Sequence, residues 1–212
     1  MVRPSTDTRE RLLAAAVEYA AHHGLADLSL RTLAAALGTS HRMLIFHFGS
    51  KEGLLVEVVR AVEAQQRALL DRLRADPELS PLEQMRAFWR HLAAPELWPY
   101  ERLFFEVYAQ GLHGKEPATR LLEDAIAAWL PPTSDLLASQ GVPPDQARAE
   151  ARLAIAVTRG LLLDLLATRD ADAVDAAMDR FTELYLHARP GLAARPEPAR
   201  KPRRRAVLPQ SR

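Results

Sequence analysis

The 212-residue chain contains no cysteine. That removes disulfides, thiolate metal sites and cysteine nucleophiles together, and it fits the reducing cytoplasm in which the protein is expected to act. Aromatic residues make up only 6% of the chain and glycine only nine positions. Alternating β-branched runs are missing too, and the chain is rich in Ala and Leu, so an all-α fold is expected. No uncharged apolar stretch approaches the roughly 18 residues of a membrane span, so no membrane partner is expected. The opening Met1-Val2-Arg3-Pro4-Ser5-Thr6-Asp7 lacks the apolar region of a secretory signal.

Catalytic signatures are also missing. There is no Gly-x-Gly-x-x-Gly, no phosphate-cradling Gly-Lys-Ser or Gly-Lys-Thr, no Gly-x-Ser-x-Gly and no His-Glu-x-x-His, which argues against an enzyme and against a cofactor. His22 and His23 are neighbours on a helix and point about 100° apart, a poor metal chelate. Acidic pairs such as Glu123-Asp124 read as solvated helix faces.

The net charge of +1 hides an uneven distribution. Beyond residue 189, Arg195, Arg200, Lys201, Arg203, Arg204, Arg205 and Arg212 face only Glu197. This Pro- and Arg-rich tail, 190–212, has little apolar surface to bury and is expected to be disordered, either as a plain solvated tail or as an auxiliary DNA contact. Residues 1–51 are mildly basic and the remainder is acidic, a polarity suited to touching phosphates at one end only.

What the chain does have is concentrated in residues 29–55, SLRTLAAALGTSHRMLIFHFGSKEGLL. Ser29 starts a helix whose Leu33 and Leu37, four apart, face inward; Ala34 and Ala35 allow close helix contact. Gly38 ends it by taking a left-handed conformation. Ser40 caps a second short helix, with Leu44 and Phe48 inward and His41, Arg42, Ile45 and Phe46 outward. Ser50-Lys51-Glu52 opens a third. Two short helices joined by a tight turn, the second rich in donors, have the form of a helix-turn-helix.

The segment 5–55 resembles the TetR family of transcriptional regulators. The residues that carry the resemblance are Gly24, Ser29, Leu33-Ala34, Gly38-Thr39-Ser40, Leu44-Ile45-Phe46-His47-Phe48 and Ser50-Lys51-Glu52-Gly53-Leu54-Leu55. The resemblance implies that Arg31 reaches a base edge, where a guanidinium pairs with guanine. It places Thr39, Ser40, His41 and Arg42 at the leading end of the recognition helix, and His47 and Lys51 on phosphates. Where the family has a phosphate-binding Tyr this chain has Ile45, so that contact is lost or passes to His47 or Arg42. Outside such a motif, each of these residues would read as an ordinary surface charge or a half-buried histidine.

About nine helices are expected. Asp7 and Glu10 make a capping-box-like start to the first, which ends at Gly24. A long helix follows over 51–74, and Pro81 opens the next. Pro95 and Pro99 break the chain before an apolar segment over 100–112. Pro131-Pro132 kinks or splits a helix over 118–140, and two more run over 144–168 and 171–187. This gives a DNA-binding domain over 5–50 (helix-turn-helix 29–48), a sensing and dimerisation domain over 51–189, and the tail.

Leu153, Ala156, Val157, Gly160, Leu161, Leu163 and Leu165, with Val174, Ala177, Met178, Phe181, Leu184 and Tyr185, give the last two helices more apolar surface than one chain can cover. A homodimer through these helices is expected, as the resemblance also implies, and with it a palindromic operator. The large aromatics gather over 85–130; Trp89, Phe105, Tyr108 and Trp129 are the candidates to line an effector pocket, though aromatics at helical spacing also build plain cores. Arg159, Asp164 and Arg169 stand among apolar residues, and Asp164 is a candidate polar anchor or buried ion-pair partner. The expected function is a homodimeric regulator, a repressor by the family's usual mode, binding double-stranded DNA and released by a small apolar or aromatic effector. The alternative is a helical dimeric interaction module that has lost DNA binding.

Overall fold

Serine caps and glycine stops set the helix boundaries in the first third of the chain. The computed structural model describes residues 4–23, 29–139 and 141–187; Gly24 and the basic tail lie outside them. Helix α1 spans Pro4–His23, α2 Leu30–Ala36, α3 His41–Phe48 and α4 Lys51–Ala75. The hydroxyls of Ser29, Ser40 and Ser50 accept from the amides of Thr32, Met43 and Gly53, three residues on in each case, satisfying amides that the first helical turn leaves unpaired. Gly38 and Gly49 take φ of 62° and 76°, where a Cβ would be strained. Asp7 lies inside the first turn of α1 rather than at its cap, because the helix begins earlier, at Pro4.

After α4 come α5 (Pro81–Leu92), a 3-10 turn (Pro95–Leu97), α6 (Trp98–Leu112), α7 (Ala118–Ala127), α8 (Leu130–Ser139), α9 (Pro144–Thr168) and α10 (Ala171–His187). Among the described residues there is no strand, and no helix is long and apolar enough to cross a membrane. Pro99 does not delay α6 to Tyr100: it sits in the first turn, where no backbone N–H is needed. Pro131-Pro132 splits rather than kinks the helix expected over 118–140, so that α7 and α8 bring the described residues to ten α-helices. The break falls at Ala128-Trp129, so that both prolines occupy the opening turn of α8.

The core does not stop at residue 50. Leu44 and Phe48 of α3 share one buried cluster with Leu12 and Ala16 of α1, Leu54, Leu55, Val58 and Val59 of α4, and Leu103, Phe104 and Val107 of α6. Polar ties reinforce the junction. Arg9 pairs with Glu57, and the Tyr100 hydroxyl donates to the Val17 carbonyl at 2.7 Å. The short α2 and α3 are therefore held by tertiary contact, as helices of seven and eight residues must be. Helix α4 carries the connection onward: its later turns, through Val62, Glu63, Gln66 and Leu70, face α5, α6, α8 and α9 around a cavity.

Candidate nucleic-acid interface and effector cavity

The stretch from Ser29 to Lys51 contains no acidic residue, and its outward side is built from α3. Arg31, His41 and Arg42 are exposed. Ile45 and Phe46 are exposed by 39% and 73%, an unusual position for an aromatic ring unless something covers it. Leu44 and Phe48, on the opposite side, are buried, so the spacing read from the sequence is the orientation found. Ser40 is occupied as the α3 cap, and Thr39 is half-buried beside it. Lys51 begins α4 and is half-buried. His47 turns differently from expectation: its Nε2 is buried and has no hydrogen-bond partner, which leaves that nitrogen unable to meet a phosphate in this conformation.

Behind this head lies an internal cavity of about 150 Å³. Trp89, Phe105 and Trp129 line it. Tyr108 does not; it packs against Phe104 with ring centroids 5.5 Å apart and lies beneath the Arg159 guanidinium. Asp164 does not line it: like Gly160 four residues earlier, it is exposed on α9.

The polar groups of the cavity were mostly missed by sequence reasoning. Glu63, Gln66 and Glu101 are buried among its lining residues, and Arg159 joins them. The signal was present: Glu63 and Gln66 continue the stripe of Val59, Val62 and Leu70, so polar side chains interrupt a buried face. The Trp129 Nε1 donates to Glu63 Oε1 at 3.1 Å. Arg159 Nη2 stands 3.5 Å from the same oxygen and donates to the Ala125 carbonyl at 2.8 Å, with its Cζ 4.9 Å from the Phe104 ring centroid. Gln66 Nε2 donates to Glu101 Oε1 at 2.7 Å.

Burial pushes the Glu63 carboxyl up, against the pull of the Trp129 hydrogen bond and of Arg159 and Arg67. Glu101 is pushed up to about 7 by burial first and Glu63 repulsion second, opposed by Gln66 and Arg159. Burial lowers Arg159, and Glu63 restores part of the loss. Among the described residues no group of side chains could hold a metal ion.

Residues 12–58 match the family model of bacterial regulatory proteins of the tetR family. The HTH-type transcriptional regulator BetI of Stenotrophomonas maltophilia (strain R551-3) is 33% identical over 79 residues, 37% of this chain and 40% of the relative. Over residues 12–58 the chain resembles the TetR family. The chain thus spans well under half the length of that relative, and the TetR match rests on the reading head and the start of α4. Likeness of fold extends further. A TetR-family transcriptional regulator from Pectobacterium atrosepticum superposes with a TM-score of 0.69 at 22% identity, covering 89% of this chain and 96% of its own. A protein from Saccharomonospora viridis, described as a transcriptional regulator and solved in complex with choline, gives 0.61 at 22% identity over 87% and 97% of the two chains. At such identity these TetR-like neighbours speak to architecture alone.

Proposed function

We propose that the chain is a DNA-binding transcriptional regulator that acts in the cytoplasm as a homodimeric repressor and releases a two-fold symmetric operator when a small molecule enters its cavity. One observation carries the reading. The segment that matches the TetR model presents an acid-free, donor-rich helix end, with Arg31, His41 and Arg42 exposed. In this reading α3 enters the major groove, Arg31 reads a base edge, and Thr39, Ser40, Lys51 and the start of α4 meet phosphates. Phe46 and Ile45 offer apolar surface to thymine methyls. His47 serves through its edge-on contact with the Phe46 ring and its tilted contact with Phe48 rather than through its buried Nε2.

Dimerisation is supported by a second stripe. Ala149, Leu153, Ala156, Gly160, Leu163 and Ala167 recur at intervals of four and three along α9, and all are exposed, with Leu153 and Leu163 exposed by 53% and 51%. A Cβ at Gly160 would meet nothing within 4 Å, so the glycine is not needed inside the chain. It suits close approach of a second helix. Ala173, Ala177 and Leu184 extend the face along α10. Two copies placed back to back would present two reading heads to one operator.

Effector sensing is supported by the cavity, which is apolar with a few placed polar groups, and by α4, which runs from the head to its wall. The choline held by the Saccharomonospora viridis protein is consistent with a small-molecule effector on such a fold. The deciding experiment is fluorescence anisotropy of the purified chain on duplexes flanking its own gene and on random duplexes, over a range of salt. Tight, sequence-selective binding that falls steeply with salt is expected. Equal affinity for both kinds of duplex at every salt concentration would leave the interaction-module reading in its place.

A further inference from the structure

The cavity wall carries three charged side chains, Glu63, Glu101 and Arg159, and they are not evenly matched. Arg159 is committed: it bonds the Ala125 carbonyl, faces Glu63 and covers the Phe104 ring. Glu63 is committed to Arg159 and Trp129. Glu101 receives a single neutral hydrogen bond, from Gln66, and makes no ion pair among the described residues. A buried carboxylate without a cation is costly, and buried charges are as a rule paired. Within the lining an anionic ligand would meet two carboxylates against one arginine already in use; a second arginine, Arg67, lies outside the lining over the Trp129 ring, its Nη1 buried and unpaired. A neutral ligand would leave the imbalance as it stands.

We propose that the cavity takes an organic cation, whose ammonium group pairs with Glu101 while its apolar body lies beside Trp89, Phe105 and Trp129. Aromatic walls suit this occupant, because ring faces attract cations. The proposal rests on the reading of the cavity as the effector site and gives that site its ligand chemistry. It also makes binding proton-linked. Burial holds Glu101 near half-protonation at about pH 7, and a cation beside it restores the ionised form and expels the proton. The other charged or titratable groups around the site, among the described residues, are Glu63 and Arg67 on α4, Tyr100 and Tyr108 on α6, Arg159 on α9 and Asp175 on α10, which accepts from Trp89 Nε1 at 2.7 Å. Of these, Glu63 is the second carboxyl that burial has raised, so a Glu101 variant is needed to separate the two.

The test is isothermal titration of the full chain with two fixed-charge cations, benzyltrimethylammonium and choline. Each is compared with its neutral carbon isostere, neopentylbenzene and 3,3-dimethylbutan-1-ol. The expected result at pH 8 is binding of at least one cation about tenfold or more tighter than its isostere. From pH 8 to pH 6 the ionised fraction of a group near pH 7 falls from about nine-tenths to about one-tenth, so cation affinity should drop about tenfold. Glu101→Gln should remove both the preference and the pH dependence and leave isostere binding in place; Glu101→Met serves if the Gln variant does not fold. Isosteres binding as tightly as the cations, a preference that survives in the Glu101 variant, or no cation bound at millimolar concentration would each overturn the proposal. A cation that binds through Glu101 but leaves operator affinity unchanged would support the cation site and remove the cavity's role as effector sensor.

Discussion

Arg31, exposed on α2, and Lys51, half-buried at the start of α4, have different work in the proposed complex. A base-edge contact from Arg31 discriminates by about 1–3 kcal/mol, whereas a phosphate contact from Lys51 is blind to sequence. Arg31→Ala should therefore cost operator binding far more than random-duplex binding. Lys51→Ala should weaken both alike and reduce the salt slope by about one. Anisotropy titrations on both duplexes decide, and equal losses for Arg31→Ala would take the base-reading role from it. Glu101 offers a second test at this scale. Its folded-state pKa, about 7, lies above the 4.5 of the free group, so between these values the folded protein binds more protons than the unfolded chain. The stability contribution is present below pH 4.5 and is lost as pH rises through 7, on the order of 3 kcal/mol. Glu101→Gln, which cannot ionise, should gain stability over the natural chain at pH 8 but not at pH 4.5. Urea melts at the two pH values check this, and a gain that is the same at both would refute it.

At the scale of elements, the joint between α3 and α4 leaves no room for a side chain at Gly53. A Cβ at Gly53 would lie 2.1 Å from the Phe48 carbonyl oxygen, and that oxygen belongs to backbone that cannot swing aside. Gly53→Ala should destabilise the chain by about 1–3 kcal/mol, the usual cost of overpacking, although alanine is the better helix former. It should also loosen the seat of α3 through Phe48. Thermal unfolding with hydrogen exchange at α3 amides is the check; a variant as stable as the parent would show that the joint is free to move. Gly160 is the opposite case. With nothing within 4 Å of a Cβ there, alanine should leave the isolated chain intact or slightly more stable.

For the whole molecule, the question is whether two copies assemble. Leu153 and Leu163 are half-exposed on one face of α9 and Leu184, exposed by 54%, on α10. Replacing Leu153 and Leu163 together by Lys would place charges in the proposed interface without touching the chain's own core. Sedimentation should then change from dimer to monomer, and operator affinity should fall as the second reading head is lost. A parent chain that sediments as a monomer at micromolar concentration would remove both the interface and the palindrome. The same surfaces show why the expected dimer stripe was only partly legible in the sequence. Leu165, Val174, Met178 and Tyr185 have the same apolar character, yet they are buried within the chain, and Phe181 lines the cavity.

The sequence by itself determined the helical class, the helix boundaries around the reading head and the sides of α3 on which Leu44 and Phe48, and opposite them His41, Arg42, Ile45 and Phe46, lie. Those follow from spacing, serine caps and glycine stops, which act over three or four residues. It also carried the family resemblance, because the matching residues lie within one stretch, 12–58. Tertiary structure alone decided what is far apart in the chain. The meeting of Glu63, Gln66, Glu101 and Arg159 around one cavity depends on how α4, α6 and α9 pack, as does the outward turn of Asp164 and the inward turn of His47 Nε2. A polar residue on an apolar stripe shows in the sequence that something must satisfy it, but its partner is chosen by the three-dimensional packing of helices that are distant in sequence.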